Sequence, residues 1–165
     1  TRALIDIGKK FNINLSIVKS VILSNENRRL LSIKKVIQIV NNNFNNKTIT
    51  FLGVTFKPNT DDMREASSIS MIKYLNKKKC KIRYYDPSGE KVEFKNLKNV
   101  NYYEDLRNAC LNSDLIILHT EWNEFKSLNF KKLVKKRNFK IYDMRNLYSP
   151  DKMRKSNIKY FGIGR

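Results

Sequence analysis

Three cations stand where a predicted strand gives way to a loop, and their types suit an anionic ligand. Lys57 and Arg64 fall in Phe51-Leu-Gly-Val-Thr-Phe-Lys-Pro-Asn-Thr-Asp-Asp-Met-Arg-Glu65, and Arg145 follows Phe139-Lys-Ile-Tyr-Asp-Met144. Lysine offers a point charge and arginine a planar fork, a pairing that fits a diphosphate. Asp61, Asp62 and Glu65 share the first loop, but no second ligand cluster accompanies them. Loop hydrogen bonding and helix N-terminal charge account for them better than a metal does. Cys80 and Cys110 form no CxxC, and neither has a base nearby in sequence. They read as buried, reduced core residues. His119, the only histidine, is expected to be structural. The residues thus supply no catalytic group and no metal site. Trp122 either lines a nucleotide site or covers the sheet edge, and the sequence leaves both open.

A dinucleotide fingerprint is missing too. Its glycines let the backbone approach a pyrophosphate, and no GxGxxG occurs among Gly8, Gly53, Gly89, Gly162 and Gly164. Asp86, in Asp-Pro-Ser-Gly89, matches a ribose-binding acid in position but lacks that loop, so it is read as a turn former.

The elements that must position these residues alternate between strand and helix. Thr48–Val54 is apolar or β-branched, and Pro58 with Asn-Thr-Asp-Asp breaks it. A helix follows, with Ser67 or Ser68 as N-cap and Ile69, Ile72 and Leu75 on its apolar face. Strands are predicted at Lys81–Tyr85, Val100–Tyr103, Leu115–Thr120, Phe139–Met144 and Lys159–Ile163, with helices at Glu104–Leu111 and Phe130–Lys136. This alternation specifies an α/β fold, a Rossmann-like, doubly wound and mostly parallel sheet. Ahead of it lies a helical segment: residues 1–11, then a long helix over 16–43 with a polar break at Ser24–Arg29. So long a helix needs a partner surface, which makes a homodimer the expected assembly. The division is 1–46 for the helical dimerisation segment and 47–165 for the sheet domain.

Composition sets the outer limits. The net charge is +19, and 24 of the 34 basic residues are lysine, spread along the chain. With abundant Asn and Ile, that pattern is what an AT-rich genome produces, so a solvated lysine-rich surface is expected rather than a nucleic-acid partner. No apolar run approaches the ~20 residues that span a bilayer, so no membrane partner is expected either. A cytoplasmic location follows from the cysteines and the lack of a signal pattern. The chain starts at Thr1, already in a helical pattern, and reads as a fragment of a longer protein.

Phe56-Lys-Pro-Asn-Thr-Asp-Asp-Met-Arg-Glu-Ala66 resembles the signature opening the C-terminal, nucleotide-binding domain of the UDP-glucose/GDP-mannose dehydrogenases. Tyr85-Asp-Pro87, Thr120-Glu-Trp122 with Phe125, Asp143-x-Arg-Asn146 and the terminal Gly-Ile-Gly-Arg165 follow in the family's order. Asn25-Glu-Asn-Arg28 fits an Asn-Glu-x-Arg patch in the family's dimer-forming helix. The resemblance implies that Phe56, Lys57 and Arg145 contact a UDP-sugar. It implies that Arg64 reaches an NAD held mainly by another domain. It also implies oxidation of a sugar alcohol through a cysteine in a Gly-Gly-Ser-Cys-Phe-x-Lys-Asp segment, whose next residues resemble Thr1-Arg-Ala-Leu4. Asn59-Thr60, Met63 and Thr120-Glu-Trp122 favour the UDP-glucose branch over the GDP-mannose and UDP-N-acetylhexosamine branches. The 165 residues alone are then expected to lack dehydrogenase activity. Competing expectations are a basic nucleic-acid-binding module and a stand-alone dimerisation domain that binds UDP-sugars without catalysis.

Overall fold

The computed structural model describes residues 2–164. Thr1 of the first predicted helix and Arg165 of the terminal motif lie outside them.

Two helices come first, α1 (Arg2–Lys10) and α2 (Ser16–Ile39). The polar stretch at 24–29 does not interrupt α2, a helix ~36 Å long, because residues 24–28 face water and Arg29 is paired with Glu65. The expected end at residue 43 is corrected: α2 stops at Ile39, and Asn41 and Asn42 turn the chain with φ of 54° and 53°. Asparagine tolerates that left-handed region better than most residues. The C-terminal half of α2 buries Ser32, Val36 and Ile39. α1, the turn after it and α2 leave several apolar side chains exposed, among them Leu4, Ile7, Phe11, Ile17, Leu23 and Leu31.

Six strands follow: β1 (Lys47–Leu52), β2 (Cys80–Tyr85), β3 (Val100–Tyr102), β4 (Leu115–Leu118), β5 (Lys140–Asp143) and β6 (Lys159–Gly162). All pair in parallel, in the order β3-β2-β1-β4-β5-β6. The expected doubly wound Rossmann-like sheet is therefore present, and it is parallel throughout. The order reverses between β1 and β4, the topological switch point where such sheets bind ligands beyond the strands' carboxyl ends. β1 and β4 are almost wholly buried, as strands covered on both faces must be.

The helices α3 (Ser67–Asn76), α4 (Leu106–Cys110), α5 (Phe130–Val134) and α6 (Pro150–Lys155) complete the layers. One core holds α3 and the end of α2 against Ile49, Phe51, Ile82 and Ile117. The other holds Cys110, Phe130, Val134 and Met153 against Leu52, Ile116, Leu118 and Ile141. The predicted strands and helices of the sheet domain fall where expected, most ends shorter by one or two residues, while β1 and β2 each start one residue earlier. α4 starts after Asp105, whose carboxylate accepts from the Asn108 N–H, and α5 stops where Lys135 turns left-handed.

Candidate functional site

The loop after β1 sets the site, and its first turn is gripped by a carboxylate from β2. Asp86 is buried, and its Oδ2 accepts from the backbone N–H of Val54 at 2.7 Å and of Thr55 at 3.3 Å. Its Oδ1 accepts from the Ser88 N–H at 3.0 Å and from the Ser88 hydroxyl. Asp86 is thus more than the turn former expected from sequence. The turn it occupies is where a dinucleotide fold presents N–H groups to a pyrophosphate. With a carboxylate on those donors and no glycine loop, the crevice above β1 does not fit NAD. Gly53 just before it is fixed by a close approach: at φ 75° its missing Cβ would lie 2.6 Å from Thr120 Cβ.

His119 and Thr120 leave β4 beside this loop and tie it to α3. The Thr120 hydroxyl donates to the Thr55 carbonyl at 2.8 Å. Its single proton being committed, the 3.0 Å contact to His119 Nδ1 must be an Nδ1–H donation to Thr120 Oγ1. Nε2 then carries a lone pair and accepts from the Ser67 hydroxyl at 2.8 Å. Burial, with the Arg145 charge adding to it, pushes the ring's pKa down to about 3, so the imidazole is neutral. The structural role expected of His119 is therefore met by an imidazole held at both nitrogens. The expected serine cap of α3 is corrected. Ala66 stands at the N-cap, because Ser67 serves His119 and Ser68 donates to the Val54 carbonyl.

Arg145 follows β5 and lies over the same loop. Its Nε donates to the His119 carbonyl at 2.8 Å, and Glu121 Oε2 lies 2.9 Å from the same nitrogen. One terminal nitrogen, Nη2, donates to the Phe56 carbonyl at 3.3 Å. The guanidinium is held from one side and about one-third exposed, which leaves donors for an incoming anion. Phe56 and Arg145 both line a crevice of about 700 Å³ that also borders Arg28, Arg29, Ser67 and His119. Across it, Arg29 donates to both the carbonyl and the carboxylate of Glu65, fixing α2 to the loop.

The structure brings Phe56 and Arg145 together through the Phe56 carbonyl, whereas Lys57 is exposed and does not line the crevice. Arg64 is elsewhere. It is 89% exposed and forks onto Asp62, with Nε to Oδ1 at 3.0 Å and Nη2 to Oδ2 at 2.9 Å. That hydrogen-bonded fork lowers the Asp62 carboxyl to about 2. Trp122 packs on the second core and does not border the crevice. Among the described residues no acid, cysteine and histidine cluster could hold a metal. Both thiols are buried and pushed up by that burial, Cys80 to about 11 and Cys110 to about 12, so neither is a nucleophile. Sequence reasoning missed Ser67 and Arg29, whose partners lie 52 and 36 residues away.

Comparison with known proteins places this geometry. The family model of the UDP-glucose/GDP-mannose dehydrogenase family, UDP binding domain, matches residues 50–150. The UDP-glucose 6-dehydrogenase of Rhizobium meliloti (strain 1021) is 32% identical over 168 residues, covering 100% of this chain and 38% of that protein. The UDP-glucose 6-dehydrogenase of Rickettsia felis is 33% identical over 165 residues, covering 98% of this chain and 37% of that protein. The chain thus spans under two-fifths of the curated relatives it matches. Among solved structures, a UDP-glucose dehydrogenase from Pyrobaculum islandicum superposes with a TM-score of 0.75 at 24% identity, covering 97% of this chain and 35% of that one. A GDP-mannose dehydrogenase from Pseudomonas aeruginosa gives 0.70 at 20% identity, covering 98% of this chain and 37% of that one. These two likenesses concern the fold.

Proposed function

The chain belongs to the UDP-glucose/GDP-mannose dehydrogenase family, and on that premise we propose that its carboxyl edge binds the diphosphate of a UDP-sugar within an NAD-dependent UDP-glucose 6-dehydrogenase. The observation that carries this is Arg145. Its guanidinium is held by the His119 and Phe56 carbonyls beside Glu121, at the switch point, with Lys57 next in chain to Phe56. A fork fixed in advance suits a phosphate, and the exposed Lys57 side chain is long enough to add a second charge. Phe56, half exposed beside the fork, offers an apolar contact.

The cofactor and the nucleophile belong to residues other than these. The Val54 and Thr55 N–H groups, which a dinucleotide loop would offer to its pyrophosphate, are taken by Asp86, and both cysteines are buried with raised pKa. In this proposal Arg64, at the outer face of the loop, touches NAD held elsewhere, and residues 1–165 alone turn over no UDP-glucose. Residues 47–165 form the UDP-sugar domain and 1–46 the dimerisation segment. The exposed apolar side chains of α1 and α2 meet a second copy there. A monomer by analytical ultracentrifugation at high concentration would remove that part. Reduced, buried thiols fit a cytoplasmic protein, and no described helix is long and apolar enough to cross a membrane.

Calorimetric titration with UDP, UDP-glucose and GDP tests the main proposal. UDP and UDP-glucose are expected to bind and GDP to bind more weakly. Arg145→Ala should weaken UDP at least tenfold, roughly the 1.5–3 kcal/mol of a charge-assisted contact, and Lys57→Ala less. GDP binding tighter than UDP would favour the GDP-mannose branch. UDP affinity indifferent to Arg145 would overturn the site.

A further inference from the structure

The lysines that look scattered in sequence are gathered by the fold. In an all-parallel sheet every strand starts at one edge, so the connections that enter the strands share that edge. They are residues 40–46, 77–79, 95–99, 111–114, 135–139 and 156–158. Lys77, Lys79, Lys98, Lys135 and Arg137 lie in them, with Lys155 at the end of α6, and all six are exposed. None of the six forms an ion pair among the described residues. Asp114 is the sole acid in these connections, and it is already paired with Lys47 and Lys136. The opposite edge is mixed: its loops hold Asp61, Asp62, Glu65, Asp86, Glu121 and Glu124 beside few cations. The charge is therefore polarised across the sheet, away from the candidate ligand site. Codon bias raises the number of lysines but does not sort them between two edges.

Shape narrows the partner. The amino-edge turns are tight, with Asn41, Asn42, Asn46, Asn112, Asn138 and Asn157 all at positive φ. Six strands with ~4.8 Å between neighbours make a rim ~24 Å wide, along which β1 and β2 start two residues ahead of the other four. The two aromatic residues in these turns, Phe44 and Phe139, are buried, so nothing there stacks on bases. Arg137 is the lone arginine, so forks for base edges are lacking as well.

We infer that the amino edge of the sheet is an adsorption surface for an anionic bilayer, recognised through its headgroup charge. Exposed lysines gathered along one edge match a surface of negative charge, and such contacts are roughly additive per lysine. The expectation of no membrane partner rested on the absence of a spanning segment, which adsorption does not require. Docked by this edge, the protein keeps the crevice at the carboxyl edge facing solvent. The inference is independent of which nucleotide that crevice holds.

The test is co-sedimentation of the full chain with vesicles of phosphatidylcholine containing one-third phosphatidylglycerol. Phosphatidylcholine alone and an RNA duplex serve as comparisons, at low and high salt. Binding to the anionic vesicles is expected, falling steeply with salt. A variant carrying Lys77→Glu, Lys79→Glu, Lys135→Glu and Arg137→Glu should lose at least tenfold. A second variant with Lys10→Glu, Lys34→Glu, Lys126→Glu and Lys152→Glu changes net charge equally and should stay within about threefold. Circular dichroism melting, with the matching Lys→Gln set, confirms that both fold. Equal losses in the two variants, no preference for anionic vesicles, or tighter edge-dependent binding to RNA would each overturn the inference.

Discussion

The two edges of one sheet are built on opposite plans. At the carboxyl edge, loops of residues 53–66 and 119–129 are long, and buried polar side chains knit them together. At the amino edge, turns are short, charged groups face water, and left-handed asparagines set the geometry. The edge proposed to bind an anion is the one poorer in cations. Its affinity must then come from a few donors held in place by hydrogen bonds, with net charge playing little part. The lysine-rich edge carries a surplus of positive charge and little of the architecture. Substitutions should therefore be costly at one edge and cheap at the other.

The largest contrast is between two aspartates. Asp86→Ala leaves the buried N–H groups of Val54 and Thr55 without their acceptor and takes a partner from the half-buried Ser88 hydroxyl. The expected loss is about 3–5 kcal/mol, with UDP binding lost because the loop no longer holds its path. Asp114→Ala, at the amino edge, removes two half-exposed ion pairs and one backbone contact to Thr48. About 1–2 kcal/mol is expected there. Urea unfolding of the two variants side by side makes the measurement. Equal losses would break the comparison.

The next effect is a pH dependence confined to the carboxyl edge. His119 has a folded pKa of about 3 against the ordinary 6.5. The unfolded chain therefore takes up the proton first. Stability is complete above about pH 6.5 and falls as the pH drops toward 3, by roughly 1.4 kcal/mol per unit. His119 is the only histidine, so between pH 6.5 and 5 it titrates without the carboxylates. From pH 7 to pH 5 the unfolding free energy should drop by about 2 kcal/mol, and His119→Asn should remove most of that slope. A wild-type curve flat over that range would mean that the ring is not held neutral.

Sequence made the sheet legible, because β4 is an uninterrupted Leu-Ile-Ile-Leu and β1 a β-branched run, each a strand by local rules alone. That Phe56 and Arg145 meet was legible because position at strand ends survives in one dimension. Asp86 and His119 were legible only as residues. Their partners arrive through β1–β2 and β1–β4 pairing, and a burial of 1% or less exposed surface leaves no local signature. The lysine band was illegible for the same reason, since which turns share an edge depends on strand order. The polar break at Ser24–Arg29 left helix continuity open, and α2 runs through it because a two-turn polar patch on a partly solvated helix costs little.

The smallest expected effect sharpens the comparison most, because it has the opposite sign. Lys135 ends α5 with φ 51° and ψ 27°, a left-handed position that glycine fills without strain. Its amino group faces water, so the replacement removes no packing. Lys135→Gly should stabilise the fold by about 0.5–1 kcal/mol, a rise of a few degrees in Tm, and leave UDP affinity unchanged. Gly53 at the carboxyl edge is also left-handed, yet its surroundings are closed by Thr120, so Gly53→Ala there must push β4 aside. Left-handed backbone at the two edges thus answers to different causes: a turn to be made in open water, and a contact too close for a side chain. A loss of stability in Lys135→Gly would show that the lysine contributes to the fold after all, and the division between an architectural edge and a charged edge would fail.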